Sequence, residues 1–348
     1  VAAQYPDDER LTTNSGYFLP PQAVVVFAPF AAVPYPAARV LWAATVGLSG
    51  LALLLVLRTF GARPPETLAG RLIPFFLLLN FLTIGVVLVW QTTLLCVGCV
   101  AAGQWCFERK RPAIGALLWA VPFIKPHAAL PLLPLAWYLG GWRRAAAVAG
   151  AVAVLNLVGA LIVSGSPLFL RDYLEFLGTA HKSVVFNQAR ENYEITSWNR
   201  LLYVATRPLA GERFLIEQTA AITLAAYLVW FGLVVGRVAL AGTPPSAAWA
   251  AAAAATGTVL CAQVLGYEAL VLVLAVPWVL ELVAGGRRAW AWAAVAILGV
   301  QAGVSFQMAH MMGIDFHRPL ATALFAVLVL SGPVRSPARL PPKTPARG

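Results

Sequence analysis

Charge is the scarcest thing in this chain. Asp, Glu, Lys and Arg make up only 11% of 348 residues, while 60% are hydrophobic and the mean hydropathy is +0.77. A soluble domain has roughly a quarter of its residues charged, so the apolar surplus is too large for one aqueous core and must face lipid. Cysteine is scarce too. Cys96, Cys99, Cys106 and Cys261 all fall in apolar segments. Cys96 and Cys99 form a C-x-x-C without the second pair that a zinc site of this type needs, so the four read as thiols packed between helices. No P-loop or other nucleotide-binding pattern occurs, and no carboxylate pair has metal-ligand spacing. No internal repeat is evident, which weighs against transporters built from duplicated halves. No metal and no cofactor is expected. The net charge of +11 does not make a nucleic-acid face, because the basic residues sit at the ends of apolar runs and not on one contiguous surface.

An initiator Met and a signal sequence are also missing. The chain begins at Val1 in a polar stretch, and the first predicted membrane helix starts only near Ala37. A lost amino terminus is the expectation.

What is present is a series of apolar runs near 37–58, 72–89, 91–107, 112–124, 127–140, 145–164, 214–236, 246–264, 268–284, 289–305 and 318–331. These predict an all-α polytopic membrane protein of about 11 transmembrane helices. Orientation follows from the basic residues. With residues 1–36 placed outside and the spans alternating, the inner connections hold Arg58, Arg63, Arg71, Arg109, Lys110, Arg111, Arg143, Arg144, Arg237, Arg287 and Arg288. The tail after Gly332 adds Arg335, Arg339, Lys343 and Arg347, against only Glu66, Glu108 and Glu281 on that side. A wrong span count would scramble this segregation. The expected organisation is an extracytoplasmic segment 1–36, a membrane domain 37–331 that includes a long outer loop 165–213, and a disordered cytoplasmic tail 332–348.

One pair of spans is short and interrupted. Pro122, Pro126, Pro131 and Pro134 flank Lys125-Pro126-His127, and each would break or kink a helix. Broken helices survive at membrane depth only where protein or a water-filled cavity covers the freed backbone, so this is where a site is expected.

Several stretches together resemble a known family. Tyr17-Phe18-Leu19-Pro20-Pro21, Phe27-Ala28-Pro29-Phe30 and Pro34 resemble a "YPP…FAP…LP" signature preceding a membrane helix. Trp90-Gln91 stands where a Gly-Gln is usual. Ile124-Lys125-Pro126-His127, followed by an apolar run and Trp142-Arg143-Arg144, resembles a "KP(H/Q)…P…(R)RW" segment, and Gly266-Tyr267-Glu268 resembles a "YD" turn. The ordered set, loosely covering 17–284, is similar to glycosyltransferase family 87, the polyprenol-phosphate-mannose-dependent alpha-1,2-mannosyltransferases. The resemblance implies a GT-C fold: membrane helices around a cavity facing the extracytoplasmic side. Richness in Ala, Gly and Arg suggests a bacterial gene, so a bacterial inner membrane is the expected location. It also implies a polyprenyl-phosphate sugar as donor, a lipid-linked or envelope glycan as acceptor, and inverting single displacement. The family's general base is typically an Asp in the first outer loop, upstream of the "YPP" run.

Here the chain departs from the pattern, since only sixteen residues precede Tyr17. Asp7 and Asp8, beside Glu9, are the remaining candidates for the base, unless it lies upstream of Val1. Glu268 opens an apolar run at the outer face, where it either complements a helix dipole or assists the base. For the donor phosphate the candidates are Lys125, His127 and Arg318. A Lys within an apolar run is costly and marks function, or it snorkels to the interface. His127 either donates to the same phosphate or caps a broken helix. Arg318, with Asp315 and His317, completes a polar rim or caps the final helix. Gln91, Asn199 and Arg200 are candidates for sugar or acceptor hydroxyls, with Tyr193 and Trp198 supplying aromatic faces. Two other classes compete with the enzyme: a transporter or lipid-glycan flippase, which should show inverted repeats, and a non-catalytic membrane scaffold.

Overall fold

The computed structural model describes residues 19–60, 92–175, 219–262, 266–303 and 316–334, with single residues 72, 198, 201, 311 and 313. Among the described residues there are eleven bounded α-helices, two 3-10 segments and no strand. In chain order the helices are α1 (Gln22–Ala31), α2 (Tyr35–Thr59), α3 (Thr93–Glu108), α4 (Pro112–Ala120), α5 (Pro126–Ala129), α6 (Leu132–Ser164), α7 (Thr219–Ala241), α8 (Ala247–Cys261), α9 (Val276–Ala284), α10 (Arg288–Gly303) and α11 (His317–Ser331). The 3-10 segments are Val121–Ile124, directly after α4, and Gly266–Ala275, directly before α9.

Three stretches, Tyr35–Val56, Leu132–Ser164 and Ala221–Ala241, are long and apolar enough to cross a membrane. Leu224, Leu228, Phe231, Leu233 and Val235 of α7 stand exposed, a face that hydrocarbon solvates and water does not. The other helices are shorter than 18 residues, so eleven membrane crossings are not evident among the described residues. Residues 112–124 form α4 plus a 3-10 turn, residues 268–284 are half 3-10 and half α9, and 72–89 lies almost wholly outside the described residues. The two runs 127–140 and 145–164 lie mostly within α6, which is broken at Gly141 with φ 73 and ψ −176. Only glycine takes up that conformation without strain.

Within 1–36, expected as an outer connection, residues 22–31 form α1. Pro20 and Pro21 suit a helix start, while Pro29 stands inside the helix. Pro21 sits at the N-cap, where no N–H is needed, and the carbonyls of Pro20 and Pro21 accept from Ala23 and Val24 at 2.9 and 3.0 Å. The helix lies on α6, where Gly159 faces the Pro21 carbonyl so closely that a Cβ would overlap it.

The core centres on α8, whose alanines let neighbouring backbones approach closely. Ala248, Ala251, Ala252, Ala253 and Ala255 are buried, along with Trp249. Trp230 of α7 fits over Gly257 and donates to the Ala253 carbonyl at 3.1 Å. On the other side, α3 and α2 cross at Gly98, where a Cβ would come within 2.8 Å of the Ser49 carbonyl. The turn from α3 to α4 closes tightly, with Lys110 at φ 58 and the Arg111 N–H on the Cys106 carbonyl at 2.9 Å, a Schellman ending.

Four helices meet around one cation. The buried Arg144, three residues past the Gly141 break, places its Cζ 3.8 Å from the Phe107 ring centroid and 4.4 Å from that of Trp119. Its Nη2 donates to Gln104 Oε1, and Gln104 Nε2 donates to Glu108 at 2.9 Å and to the Thr59 carbonyl at 3.4 Å. Thus α6, α3, α4 and the end of α2 share one joint. Gly140 leaves room for it, since a Cβ there would come within 2.5 Å of Arg144 Cδ.

Two pairs of variants test this packing. Replacing Arg144 by Met removes two ring contacts and orphans Gln104 Oε1, so stability in detergent should fall by roughly 2–4 kcal/mol. Arg144→Lys should recover little of it, because an ammonium cannot stack as a plane; a melting temperature within a degree of wild type for Arg144→Met would refute the joint. Gly159→Val should undock α1 and speed proteolysis within 22–31. Gly150→Val, on the same helix with open space around it, should not.

Candidate active site

The prolines that break the chain around Lys125 also shape it. After α4 the backbone tightens into the Val121–Ile124 turn, and Lys125 adopts φ −122 and ψ 75, away from the helical region as a residue before proline must be. Pro126 then opens α5, a single turn, and Pro131 caps α6. Lys125 is tied through its backbone on both sides. Its N–H donates to the Pro122 carbonyl at 3.0 Å, and its carbonyl accepts from Ala128 and Ala129 at 3.0 and 3.1 Å.

Two side chains from distant parts of the chain hold the ends of this break. Thr258 of α8 donates its hydroxyl to the Ala128 carbonyl at 2.8 Å. Gln22 of α1 donates to the Ala120 carbonyl at 3.5 Å and accepts at Oε1 from Asn156 Nδ2 of α6 at 2.9 Å. Both Gln22 and Thr258 are buried. Ile124, also buried, clusters with Ala23 and Cys96, and Leu19, Val26 and Phe27 pack against them, so the "YPP…FAP" stretch lies directly on the break.

Beside Lys125 opens a cleft with about 450 Å³ of space not filled by atoms, part of it open to the surroundings. Thr93, Cys96 and Val97 of α3 form one wall; Pro122, Ala128 and Ala129 form the edge of the break; Val271 and Leu274 of the second 3-10 segment close the far side. Lys125 is half-buried and is the one charged side chain among the described residues that line it. An ammonium on the wall of an apolar cleft suits an anionic head joined to an apolar chain.

The sequence candidates distribute unevenly around this cleft. Lys125 is on its wall. His127 belongs to α5 and Glu268 to the second 3-10 segment, one 3-10 turn before Val271; the side chains of both lie outside the described residues. Arg318 is buried in the first turn of α11, where Gln301 donates to its carbonyl at 2.7 Å, and it is not among the cleft-lining residues. Asp7, Asp8, Gln91, Asn199, Arg200 and Asp315 lie outside the described residues. Thr258, Gln22 and Asn156 escaped the sequence reading. Their only signal was a polar side chain inside an apolar run. Among the described residues no cluster of His, Cys, Asp and Glu could hold a metal ion.

Comparison with known proteins gives one match. The family model for Glycosyltransferase family 87 covers residues 17–265, from the first Tyr of the "YPP" run to past the end of α8. No curated protein and no solved structure matches the chain. The matched stretch, more than half of the chain, takes in α1, the broken pair and the side chains that pin it, and on that match this membrane glycosyltransferase belongs to glycosyltransferase family 87.

Proposed function

We propose that this enzyme moves a sugar, mannose in our reading, from a polyprenyl phosphate to a lipid-linked or envelope glycan, on the extracytoplasmic face of a bacterial inner membrane. The observation that carries this reading is Lys125 on the wall of an apolar cleft, at a break held by α1 and α8. A polyprenyl-phosphate sugar has the matching parts: an apolar chain for the cleft, an anionic phosphate for the ammonium, and a sugar to present beyond it.

The reaction in this reading is a single displacement. An acceptor hydroxyl oxygen attacks the anomeric carbon and a carboxylate takes the hydroxyl proton. The bond from the anomeric carbon to the phosphate oxygen breaks, and the electron pair leaves with the lipid phosphate. Lys125 stabilises the charge growing on that phosphate, a contribution made mainly in the transition state; His127, on the adjacent turn, is the candidate second donor. Glu268 is the carboxylate nearest in chain position to the cleft-lining segment, with Asp7 and Asp8 as the alternatives for the base. Arg318, Gln91, Asn199 and Arg200 are assigned to the rim around phosphate, sugar and acceptor. The orientation in this reading follows the segregation of basic residues, which places 1–36 and 165–213 outside and 332–348 in the cytoplasm.

Transfer from radiolabelled polyprenyl-phosphate mannose to a crude envelope lipid acceptor tests the reading. Wild-type protein should transfer label, and Lys125→Ala should lower kcat/KM for the donor roughly 10²–10³-fold. Equal transfer by wild type and Lys125→Ala would remove Lys125 from the site. A folded wild type that transfers nothing but moves the lipid between leaflets would replace the enzyme reading with a flippase.

A further inference from the structure

Thr258 behaves unlike the other threonine of its helix. Thr256 bonds back to the Ala252 carbonyl of its own helix at 2.7 Å, the usual local outlet for a hydroxyl in a helix. Thr258, two residues on, reaches across to another element and takes the Ala128 carbonyl. Ala128 is one of the two residues whose N–H holds the Lys125 carbonyl. The hydroxyl of α8 and the backbone of Lys125 are therefore joined through one alanine, and Thr258 itself lines the cleft beside Lys125.

We propose that Thr258 is a positioning residue for Lys125: its hydroxyl fixes the one-turn α5 to α8 and so sets where the ammonium stands on the cleft wall. The proposal rests on the reading of Lys125 as the group that meets the donor phosphate. A single turn of helix has little stability of its own, and α5 is bounded by Pro126 at its start and Pro131 beyond its end. Its place relative to the cleft therefore depends on what it is tied to. Valine matches threonine in shape but lacks the donor, so Thr258→Val removes the tie while keeping the packing. Thr258→Ser restores the tie without the methyl group.

The test reads Lys125 directly and activity separately. The full chain in detergent is treated with a water-soluble amine-acylating ester, and modification of Lys125 and Lys110 is followed by peptide mass spectrometry. Thr258→Val should change the Lys125 rate about five- to tenfold, and Thr258→Ser should keep it near wild type. Lys110, on the α3–α4 turn, should be unaffected in both. In the transfer assay, Thr258→Val should raise KM for polyprenyl-phosphate mannose by a similar factor with a smaller change in kcat, and Ser should rescue it. Equal Lys125 rates in wild type and Thr258→Val overturn the proposal, as does a parallel change at Lys110, which would mean general loosening. The expected acylation pattern with no transfer by wild type would overturn the donor reading and leave the tie between Thr258 and Lys125 standing.

Discussion

Backbone groups in an apolar surrounding have no water to fall back on, and the helix pair around Lys125 has given up part of its own ladder. Pro122, Pro126 and Pro131 bring no N–H, and the last carbonyls of α4 and α5 have no partner within their helices. Side chains far away in sequence meet two of them: Gln22 for Ala120, Thr258 for Ala128. An unmet carbonyl there would cost about 1–3 kcal/mol. A local weakness thus becomes a tertiary joint: α1, α6 and α8 must all be docked before the turn that carries Lys125 has a fixed place.

The same accounting recurs at the end of α11. The carbonyls of Val329, Leu330, Gly332 and Pro333 accept from Trp249, from Arg237 twice, and from Trp278, while that of Val334 accepts from the Ser246 backbone. Every donor comes from α7, α8, α9 or the turn before α8. Ser246 also caps α8 and donates to Glu281 at 2.6 Å, so one serine joins three elements. With α8 at the centre of both joints, its alanines do two things. They let neighbours come close enough for these bonds to form, and they leave Trp249 and Thr258 free to serve other elements.

The proline run around Lys125 announced a broken pair because proline acts locally: it removes a donor and restricts its predecessor wherever it stands. Between the runs 127–140 and 145–164 the sequence reading placed an inner connection with Arg143 and Arg144, whereas the structure has a break at Gly141 within α6 and Arg144 buried just past it. What sequence could not convey is bonding across space. Asn156 and Thr258 sit in apolar runs with no periodicity to mark them, Gln22 sits in the segment read as an outer connection, and each matters because of a partner about a hundred or more residues away. The α1 helix was missed for a related reason. The segment 1–36 was read as an outer connection, yet Pro20 and Pro21 stand at the start of a helix, the end that tolerates proline, and Pro29 stands inside it. The candidates on 1–18, 61–91 and 176–218 remain readings of residue type and order.

Two cations in this helix pair show how the choice of residue follows the task. Arg144 is planar and lies between Phe107 and Trp119 with its guanidinium bonded to Gln104. Two aromatic rings and a side-chain amide contact it, so its charge serves packing. Lys125 is a point charge on a flexible stem at the wall of an open cleft, and on the proposed reading it must meet a tetrahedral phosphate whose charge grows during reaction. A rotatable ammonium can follow that change, while a stacked guanidinium is committed to one plane. The backbone beneath it is placed by bonds that other helices make to the turns on either side. That is why the bonds to Ala128 and Ala120 carry more weight than their number suggests.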